Sequence, residues 1–192
     1  MDWSIWLVLK SARGSKKYIN KYIILFVFQK DTNSSSQTKR TEKNLLNENS
    51  IILKENERDF GLFLQKVNII RDFREDILDN EKIFWPGFLF EKYQVSPDKL
   101  LNKENEEKSM AILDYMLDNA CKHIEPDKAY LNAIPDEYAG FRAGAAVNFA
   151  MGVATLDTMR NNNEVFFGQK PVKISHESRD TILSDPLGFV SN

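Results

Sequence analysis

Apolar and polar residues between positions 61 and 86 alternate with a helical period, and apolar residues border the polar ones on both sides. The polar positions are Gln65, Asn68, Asp72 and Asp76, spaced by three, four and four residues. At about 3.6 residues per turn, this spacing places them on one narrow stripe of a helix. The flanking apolar positions are Leu62, Ile69 and Phe73 on one side and Leu64 on the other. A surface helix normally has its polar residues opposite its apolar face, so the pattern predicts a polar stripe in apolar surroundings.

Periodicity and stop signals divide the rest of the chain into further elements. The polar stripe belongs to a helix predicted over about 58–77, with a stop signal at Asp79-Asn80. A turn at 84–87 is then expected to place aromatic rings over the helix end. The other predicted elements are a linker over 31–50, a packing helix over 109–124, a short helix over 126–134 and a helix rich in small residues over 138–160.

The predicted helix over 138–160 differs from the others because glycine and alanine dominate it. Small side chains let neighbouring helices approach closely, or they leave room for a bulky apolar ligand. Arg142, Asp157 and Arg160 argue against a membrane span in this segment. The composition predicts a helix with one of these two roles and leaves both open.

Charge is distributed unevenly along the 192 residues, although 42% hydrophobic and 28% charged residues with a net charge of −2 are ordinary for a globular protein. Residues 1–43 hold nine Lys or Arg against three acids, which leaves 17 against 25 in the remainder. The first region is therefore compositionally distinct. The small net charge favours no particular partner, and no nucleic-acid partner is expected. A single cysteine, Cys121, excludes an internal disulfide framework and a multi-cysteine metal site.

Two short apolar runs, 5–9 and 22–28, lie within the basic first region. Neither reaches the roughly 20 residues that a helix needs to cross a bilayer. An early positive region and a small-residue cleavage site are absent, so a signal peptide is a poor fit. We predict a poorly ordered or edge-strand segment. The alternative is a weak membrane-surface contact through Trp3, Trp6 and the lysines.

The two aspartates of the polar stripe have the spacing of metal ligands. Carboxylates four residues apart are separated by about 6 Å along a helix axis. Mg²⁺ typically takes one or two protein carboxylates, keeps several waters and completes its shell with substrate phosphates. Asn68 can add a neutral oxygen, and Arg71 and Arg74 can neutralise a diphosphate. The alternative is a solvated helix end, in which the acids pair with Arg71, Arg74 and Lys82.

The other acids and histidines with suggestive positions are expected to be structural. Asp114 and Asp118 repeat the four-residue spacing but are expected on the solvent face of the helix over 109–124. His123 and His176 show no ligand spacing, and we expect them at the surface or at helix ends.

The residues FLQKVNIIRDFREDILDNEKIFWP resemble the second aspartate-rich segment of squalene synthase, of the squalene/phytoene synthase family. LQK and FWP favour this branch over phytoene and dehydrosqualene synthases. A weaker resemblance follows in the same order along the chain, at Met151, 154–156, 161–162 and 172–174. The resemblance implies a metal set of Asp72, Asp76 and Asn68, a substrate-binding set of Gln65, Arg71 and Lys82, and a cofactor-binding Lys173.

Several departures from the family pattern bear on chemistry. Gly144 stands where the family has a phenylalanine that steadies the carbocation of the reductive step, and Ser175 replaces an arginine near the NADPH-associated lysine. Residues 1–58 show no resemblance to the family. The first aspartate-rich motif and the tyrosine segment assigned to proton transfer are missing, so the catalytic residues remain unknown.

The resemblance implies an all-α fold, a partial isoprenoid-synthase helical bundle over 58–192, preceded by an irregular, basic and low-complexity region over 1–57. The implied activity is head-to-head condensation of two farnesyl diphosphates with Mg²⁺, followed by NADPH-dependent reduction to squalene in sterol biosynthesis. Family members are anchored in the endoplasmic reticulum membrane, and this chain is expected to carry no anchor. We expect the chain to be incomplete and weakly active or inactive by itself.

Two alternative interpretations of the sequence remain open. The first is a non-catalytic helical binding or assembly protein of the same fold, which the missing first motif and the replaced residues favour. The second is a misassembled reading of a complete gene, in which residues 1–58 are not native sequence.

Overall fold

The chain forms two compact units, Met1–Glu48 and Asn49–Asn192. The structure is a computed structural model that describes residues 2–9, 24–31, 41–80 and 83–191, with side chains described at 48–78 and 83–191. In the first unit, β1 (Asp2–Leu9) and β2 (Ile24–Asp31) pair in antiparallel register, with Ile5 opposite Phe28. These strands contain most of the two apolar runs, so the described part of this region is not wholly irregular.

The second unit is helical, which confirms the predicted all-α fold. From residue 41 onward the described residues form α-helices joined by 3₁₀ turns, without a strand. The helices are α1 (Thr41–Arg71), α2 (Phe73–Asn80), α3 (Gly87–Tyr93), α4 (Glu106–Cys121), α5 (Ile124–Ala133), α6 (Ala139–Met159), α7 (Glu164–Phe167), α8 (His176–Ser184) and α9 (Gly188–Ser191). The 3₁₀ turns are Pro97–Leu101, Lys103–Asn105 and Asp136–Tyr138. The bounds of α4, α5 and α6 lie within a few residues of those predicted.

Helix α1 is longer than the sequence pattern predicts, because it begins at Thr41 rather than near Arg58. Residues 41–50, expected in a linker, form its first turns, whereas residues 32–40 of that linker lie outside the described residues. The segment 41–57 contains neither glycine nor proline and is rich in Glu, Lys and Leu, which are good helix formers. The low apolar content of this segment agrees with the exposure of Glu48 and Ser50, but it does not prevent a helix from forming.

Helices α1 and α2 are separated only at Asp72, and backbone hydrogen bonds continue through that residue. The Asp72 N–H donates to the Asn68 carbonyl at 2.9 Å, and the Asp76 N–H donates to the Asp72 carbonyl at 2.8 Å. The helical spacing of the stripe is therefore preserved across the break. Helix α2 ends at Asn80, where the stop signal was predicted.

An aromatic cluster supports the end of the stripe. The Phe73 and Trp85 rings stack with centroids 3.9 Å apart, and Phe166 meets both rings edge-on. The Trp85 Nε1–H also donates to the Ile69 carbonyl at 3.2 Å. The prediction that aromatics cover the helix end is thus confirmed for buried Trp85, while Phe84 is exposed.

The small residues of α6 have different surroundings along its length. A Cβ placed on Gly152 would lie 2.7 Å from Cε1 of Phe63, so this glycine permits a close approach to α1. Gly140 and Gly144 have no such neighbour within 4 Å. Close helix packing therefore explains Gly152 but not the other two. Among the described residues, no helix is both long enough and apolar enough to cross a membrane.

Candidate functional site

The two aspartates of the stripe are buried. Asp72 is 8% exposed and Asp76 is 4% exposed, whereas Asn68 is half-buried and Gln65 is exposed. The stripe thus passes from solvent into the protein as α1 leads into α2. The alternative of a solvated helix end is therefore wrong for Asp72 and Asp76, although Glu75 is exposed and Asp72 pairs with Arg71 as that alternative predicted.

Arg71 forms a two-pronged ion pair with the neighbouring Asp72. Its Nε–H donates to Oδ1 at 2.9 Å and its Nη2–H donates to Oδ2 at 3.3 Å. The Asp72 side chain is 11% exposed, while that of Arg71 is 39% exposed. Both oxygens of the carboxylate therefore have a cationic partner at the protein surface. A metal ion at Asp72 would have to share these oxygens with Arg71 or displace its guanidinium.

The acids fit Mg²⁺ in chemical kind. They are hard oxygen ligands on adjacent turns of one helix, and the half-buried Asn68 lies one turn earlier. The described part of the chain has no group of three or more His, Cys, Asp or Glu residues placed to hold a metal ion. Because Mg²⁺ commonly takes only one or two protein carboxylates and completes its shell with water and phosphate, two acids suffice for one side of such a shell.

Asp72 and Asp76 are called the acidic stripe below. A cleft of about 90 Å³ lies beside them and is lined in part by their neighbour Arg71. Its lining residues are Arg71, Arg74, Glu75, Leu78, Met159, Val165, Pro171 and Val172. Arg71 therefore both pairs with Asp72 and lines the cleft. Nε of Arg74 is buried, and the described residues supply no hydrogen-bond partner to it. The lining of the cleft thus combines two arginines and one acid with apolar residues.

The remaining residues predicted for the site are only partly brought together. Lys173 is exposed, and its neighbour Val172 lines the cleft together with Arg71. The segment predicted to bind the cofactor thus reaches the same cleft as the predicted substrate-binding arginine. Lys82 lies outside the described residues, so its predicted role stays a prediction.

A polar network at the contact of α1, α4 and α5 was not foreseen from the sequence. Lys66 Nζ donates to Asn119 Oδ1 at 2.6 Å and lies 2.7 Å from His123 Nε2. The other ring nitrogen, His123 Nδ1, lies 2.5 Å from Asp59 Oδ1. Since a protonated lysine can only donate, Nε2 accepts and Nδ1–H donates to Asp59. His123 stands at the start of α5, as expected for a helix-end residue, but it is buried.

Asp127 lies close to this network and is fully buried. It is 0% exposed, and neither of its carboxylate oxygens has a hydrogen-bond partner within the described part of the chain. Burial, and then the negative charge of Asp59, raise the pKa of Asp127 to about 8. Burial, and then the charge of Lys122, lower the pKa of Lys66, while Asp59 opposes that change. The sequence did contain a signal for this network. Asp59, Phe63 and Lys66 are spaced by four and three residues, which places two charged residues on an apolar face of α1.

The two acids on α4, Asp114 and Asp118, differ in their exposure to solvent. Asp118 is exposed and accepts a hydrogen bond from Arg160 Nη2 at 3.0 Å. Asp114 is half-buried, and its Oδ1 is buried without a hydrogen-bond partner from the residues that the structure describes. The expectation of solvent-facing acids is therefore confirmed for Asp118 and is wrong for Asp114.

A second cavity, of about 180 Å³, has almost entirely apolar walls. It is lined by Ile124, Lys128, Phe149, Ala150, Val153 and Phe189. Three of these residues belong to α6, the helix rich in small residues. The cavity can accommodate apolar groups, with the Lys128 side chain as its one basic lining residue.

Comparison with known proteins finds relatives both by sequence and by structure. The family model described as squalene/phytoene synthase matches residues 44–178. The match includes residues 44–57, for which the sequence analysis found no resemblance to the family. A probable squalene synthase of Neurospora crassa is 36% identical over 139 residues, which cover 70% of this chain and 27% of that protein. Squalene synthase of Schizosaccharomyces pombe is 42% identical over 115 residues, covering 59% of this chain and 24% of the relative.

Solved structures share the fold of the helical part. The complex of TcSQS with the ligand BPH1237 superposes with a TM-score of 0.64 at 32% identity, covering 68% of this chain and 38% of that one. The complex of TcSQS with E5700 gives a TM-score of 0.62 at 34% identity, covering 67% and 37%. The chain spans about a quarter of the length of the curated relatives that it matches.

Proposed function

The chain belongs to the squalene/phytoene synthase family, and from this premise we propose that it supplies one metal-binding wall of a squalene synthase, a farnesyl-diphosphate farnesyltransferase. The observation that carries the proposal is the burial of Asp72 and Asp76 beside an arginine-lined cleft. The whole reaction would join two farnesyl diphosphates head to head and reduce the product to squalene. That sequence of steps belongs to sterol and isoprenoid biosynthesis.

In this proposal Asp72, Asp76 and Asn68 hold Mg²⁺, while Gln65, Arg71 and Lys82 contact the diphosphate of farnesyl diphosphate. Bound Mg²⁺ would neutralise charge on the departing diphosphate. Arg71 adds a guanidinium that can form paired hydrogen bonds with phosphate oxygens. The low exposure of the two acids supports this role, because electrostatic stabilisation is stronger where water is excluded.

The reductive step is proposed to use NADPH bound near Lys173. Support comes from the exposed position of Lys173 beside a residue of the arginine-lined cleft. Helix α6 is proposed to form part of the prenyl channel, and the apolar cavity at Phe149 and Ala150 supports that placement. Location at the endoplasmic reticulum membrane is proposed from kinship alone.

A non-catalytic helical binding or assembly protein is the second candidate. The observation that favours it is Gly144, which is exposed and cannot supply the aromatic side chain expected at this position of a squalene synthase. Such a protein would keep the fold while lacking the reductive chemistry. It would also have no need of a diphosphate site.

Isothermal titration of the 192-residue chain with inorganic diphosphate, in Mg²⁺ and in EDTA, tests the proposal. We expect markedly tighter binding in Mg²⁺, because the two acids and the diphosphate would share the ion. Titration with farnesyl diphosphate in Mg²⁺ should show the same dependence, with little or no turnover. Equal heats in Mg²⁺ and in EDTA would reject the metal-binding role and favour the second candidate.

A further inference from the structure

The polar network at the contact of α1, α4 and α5 has no part in the proposed function, yet it holds the helix that leads into the acidic stripe. It joins Asp59, Lys66, Asn119 and His123. Asp59 and Lys66 are seven residues apart on α1, so they project from the same face of that helix. Both ring nitrogens of His123 are used in these contacts. Directional contacts thus link one face of α1 to two other helices.

His123 is the fixed point of this network. It lies in the turn between α4 and α5, where its N–H donates to the Ala120 carbonyl at 3.1 Å and its carbonyl accepts the Asp127 N–H at 2.9 Å. Its side chain is only 11% exposed. Because both the backbone and the ring of His123 are held, the 2.7 Å contact from Nε2 to Nζ fixes the place of the Lys66 amine.

The other contacts of this part of α1 are apolar. Phe63 and Ile70 are fully buried, and the Phe63 ring centroid lies 5.5 Å from that of Phe149 on α6. Apolar burial scales with area and has no direction, so it holds α1 against its neighbours without specifying how the helix is turned about its axis. A polar network does specify this, because a turned helix would leave donors and acceptors unpaired inside the protein.

The acidic stripe projects from a different face of the same helical run. At 3.6 residues per turn, Asp72 and Asp76 point about 80–120° around the axis from Lys66. Backbone hydrogen bonds continue through Asp72 to Asp76, and the Trp85 Nε1–H donates to the Ile69 carbonyl, three residues after Lys66. A rotation of α1 at Lys66 would therefore turn the stripe and change the hydrogen bond of Trp85.

We propose that Lys66 and His123 are positioning residues, which fix the rotation of α1 and thereby direct the acidic stripe toward its ligand. That this ligand is Mg²⁺ with a diphosphate rests on the proposed function. The rotation of α1 can be measured without any ligand.

The first experiment records the indole N–H resonance of Trp85 in the full chain by heteronuclear NMR, with Trp85→Phe to assign it. Lys66→Met removes the donor, and His123→Phe removes both ring nitrogens while keeping a ring. Each variant should shift the Trp85 resonance, and the double variant should shift it little further, because both substitutions remove the same contact. Lys66→Arg keeps a cationic donor and should recover most of the original resonance position.

Ile134→Val is the matched control. Ile134 is 1% exposed and lies at the end of α5 opposite His123, and shortening a buried isoleucine destabilises a protein about as much as losing a hydrogen bond does. Urea unfolding measures how closely the stabilities of the variants agree. Ile134→Val should leave the Trp85 resonance in place. An unmoved resonance in Lys66→Met, or an equal shift in Ile134→Val, would overturn the proposal.

The second experiment titrates the same variants with inorganic diphosphate in Mg²⁺. Lys66→Met and His123→Phe should each bind about tenfold more weakly, the effect of one misdirected charged contact, while Lys66→Arg and Ile134→Val should stay within about twofold. Since His123 accepts a hydrogen bond from Lys66 and is neutral, His123→Phe leaves the net charge unchanged. A loss of affinity confined to Lys66→Met would therefore be a direct effect of charge and would overturn the positioning role.

The two experiments together separate this inference from the proposed function. Unchanged affinity in variants whose Trp85 resonance has shifted would overturn the positioning role alone. If the unmodified chain binds diphosphate equally in Mg²⁺ and in EDTA, the proposed function fails, whereas a Trp85 shift in Lys66→Met and His123→Phe would still support the fixed rotation of α1.

Discussion

The acidic stripe and the enclosed carboxylate of Asp127 are both buried, but their surroundings give them different chemistry. Asp72 is covered by Arg71, whose side chain also reaches solvent and lines a cleft. Asp127 is 0% exposed, and none of the described residues forms a hydrogen bond with either of its oxygens. A carboxylate at a cleft can exchange its partner for a ligand, whereas an enclosed one can exchange only a proton. Burial of an acid therefore indicates a binding site only when it is combined with access.

The largest expected effect concerns Asp127 and pH. Its pKa is raised from the ordinary value of 3.8 to about 8, so between these values the folded chain binds a proton that the unfolded chain has released. Stability is therefore greatest at the acidic end of this window and falls as pH rises toward 8, by up to about 1.4 kcal/mol per pH unit. Urea unfolding at pH 5, 6.5 and 8 measures this slope.

Asp127→Asn should remove the contribution of this group, so the difference in unfolding free energy between variant and unmodified chain should move in favour of the variant as pH rises. Asp98→Asn changes an exposed acid and serves as the control. Parallel pH profiles for the unmodified chain and Asp127→Asn would show that Asp127 does not titrate in this window.

The second prediction addresses the acidic stripe. Asp72→Asn combined with Asp76→Asn should weaken Mg²⁺-dependent diphosphate binding by about 100-fold, because two charged oxygen ligands are lost. Asp98→Asn combined with Glu104→Gln removes the same charge from exposed positions and should not change binding. If Asp127→Asn weakened diphosphate binding as much as the double variant does, the claim that only the acids beside the cleft bind a ligand would be wrong.

The third prediction concerns the network around His123. Lys66→Met keeps most of the aliphatic stem but removes the donor to Asn119 and His123, so we expect a loss of about 1–2 kcal/mol in unfolding free energy. Lys54→Met, at an exposed position of the same helix, should have little effect. Denaturant unfolding compares the two, and an equal response would mean that the network contributes no stability.

The smallest expected effect concerns the aromatic support of the stripe. Trp85→Phe keeps a ring against Phe73 but removes the hydrogen bond to the Ile69 carbonyl, which should cost about 1 kcal/mol. Diphosphate binding should weaken only slightly. Unchanged stability, measured by thermal unfolding, would show that stacking alone supports the end of the stripe.

Local patterns determined a large part of this protein. The spacing of Gln65, Asn68, Asp72 and Asp76 predicted a stripe on one helix, and the backbone confirms it through Asp72. The packing helices after residue 105 and the end of α2 at Asn80 were also predictable. These features depend on residues within a few turns of one another, where helical periodicity is a reliable guide.

The start of α1 and the reasons for the small residues of α6 required the structure. Low apolar content suggested a linker over 41–50, yet these residues are helical because nothing in them breaks a helix. Gly152 is explained only by the ring of Phe63, a residue far away in the chain. Such contacts join elements whose separation in sequence carries no periodic signal.

The sequence by itself therefore determined the helical architecture, the acidic stripe and the family resemblance, since each depends on residues that are close together in the chain. The tertiary structure alone decided which polar side chains meet. It brought Asp59, Lys66 and His123 into one network and placed Arg74 with Arg71 in one cleft. The physical reason is that burial and hydrogen bonding between elements depend on helix packing, and helix packing is set by the whole core.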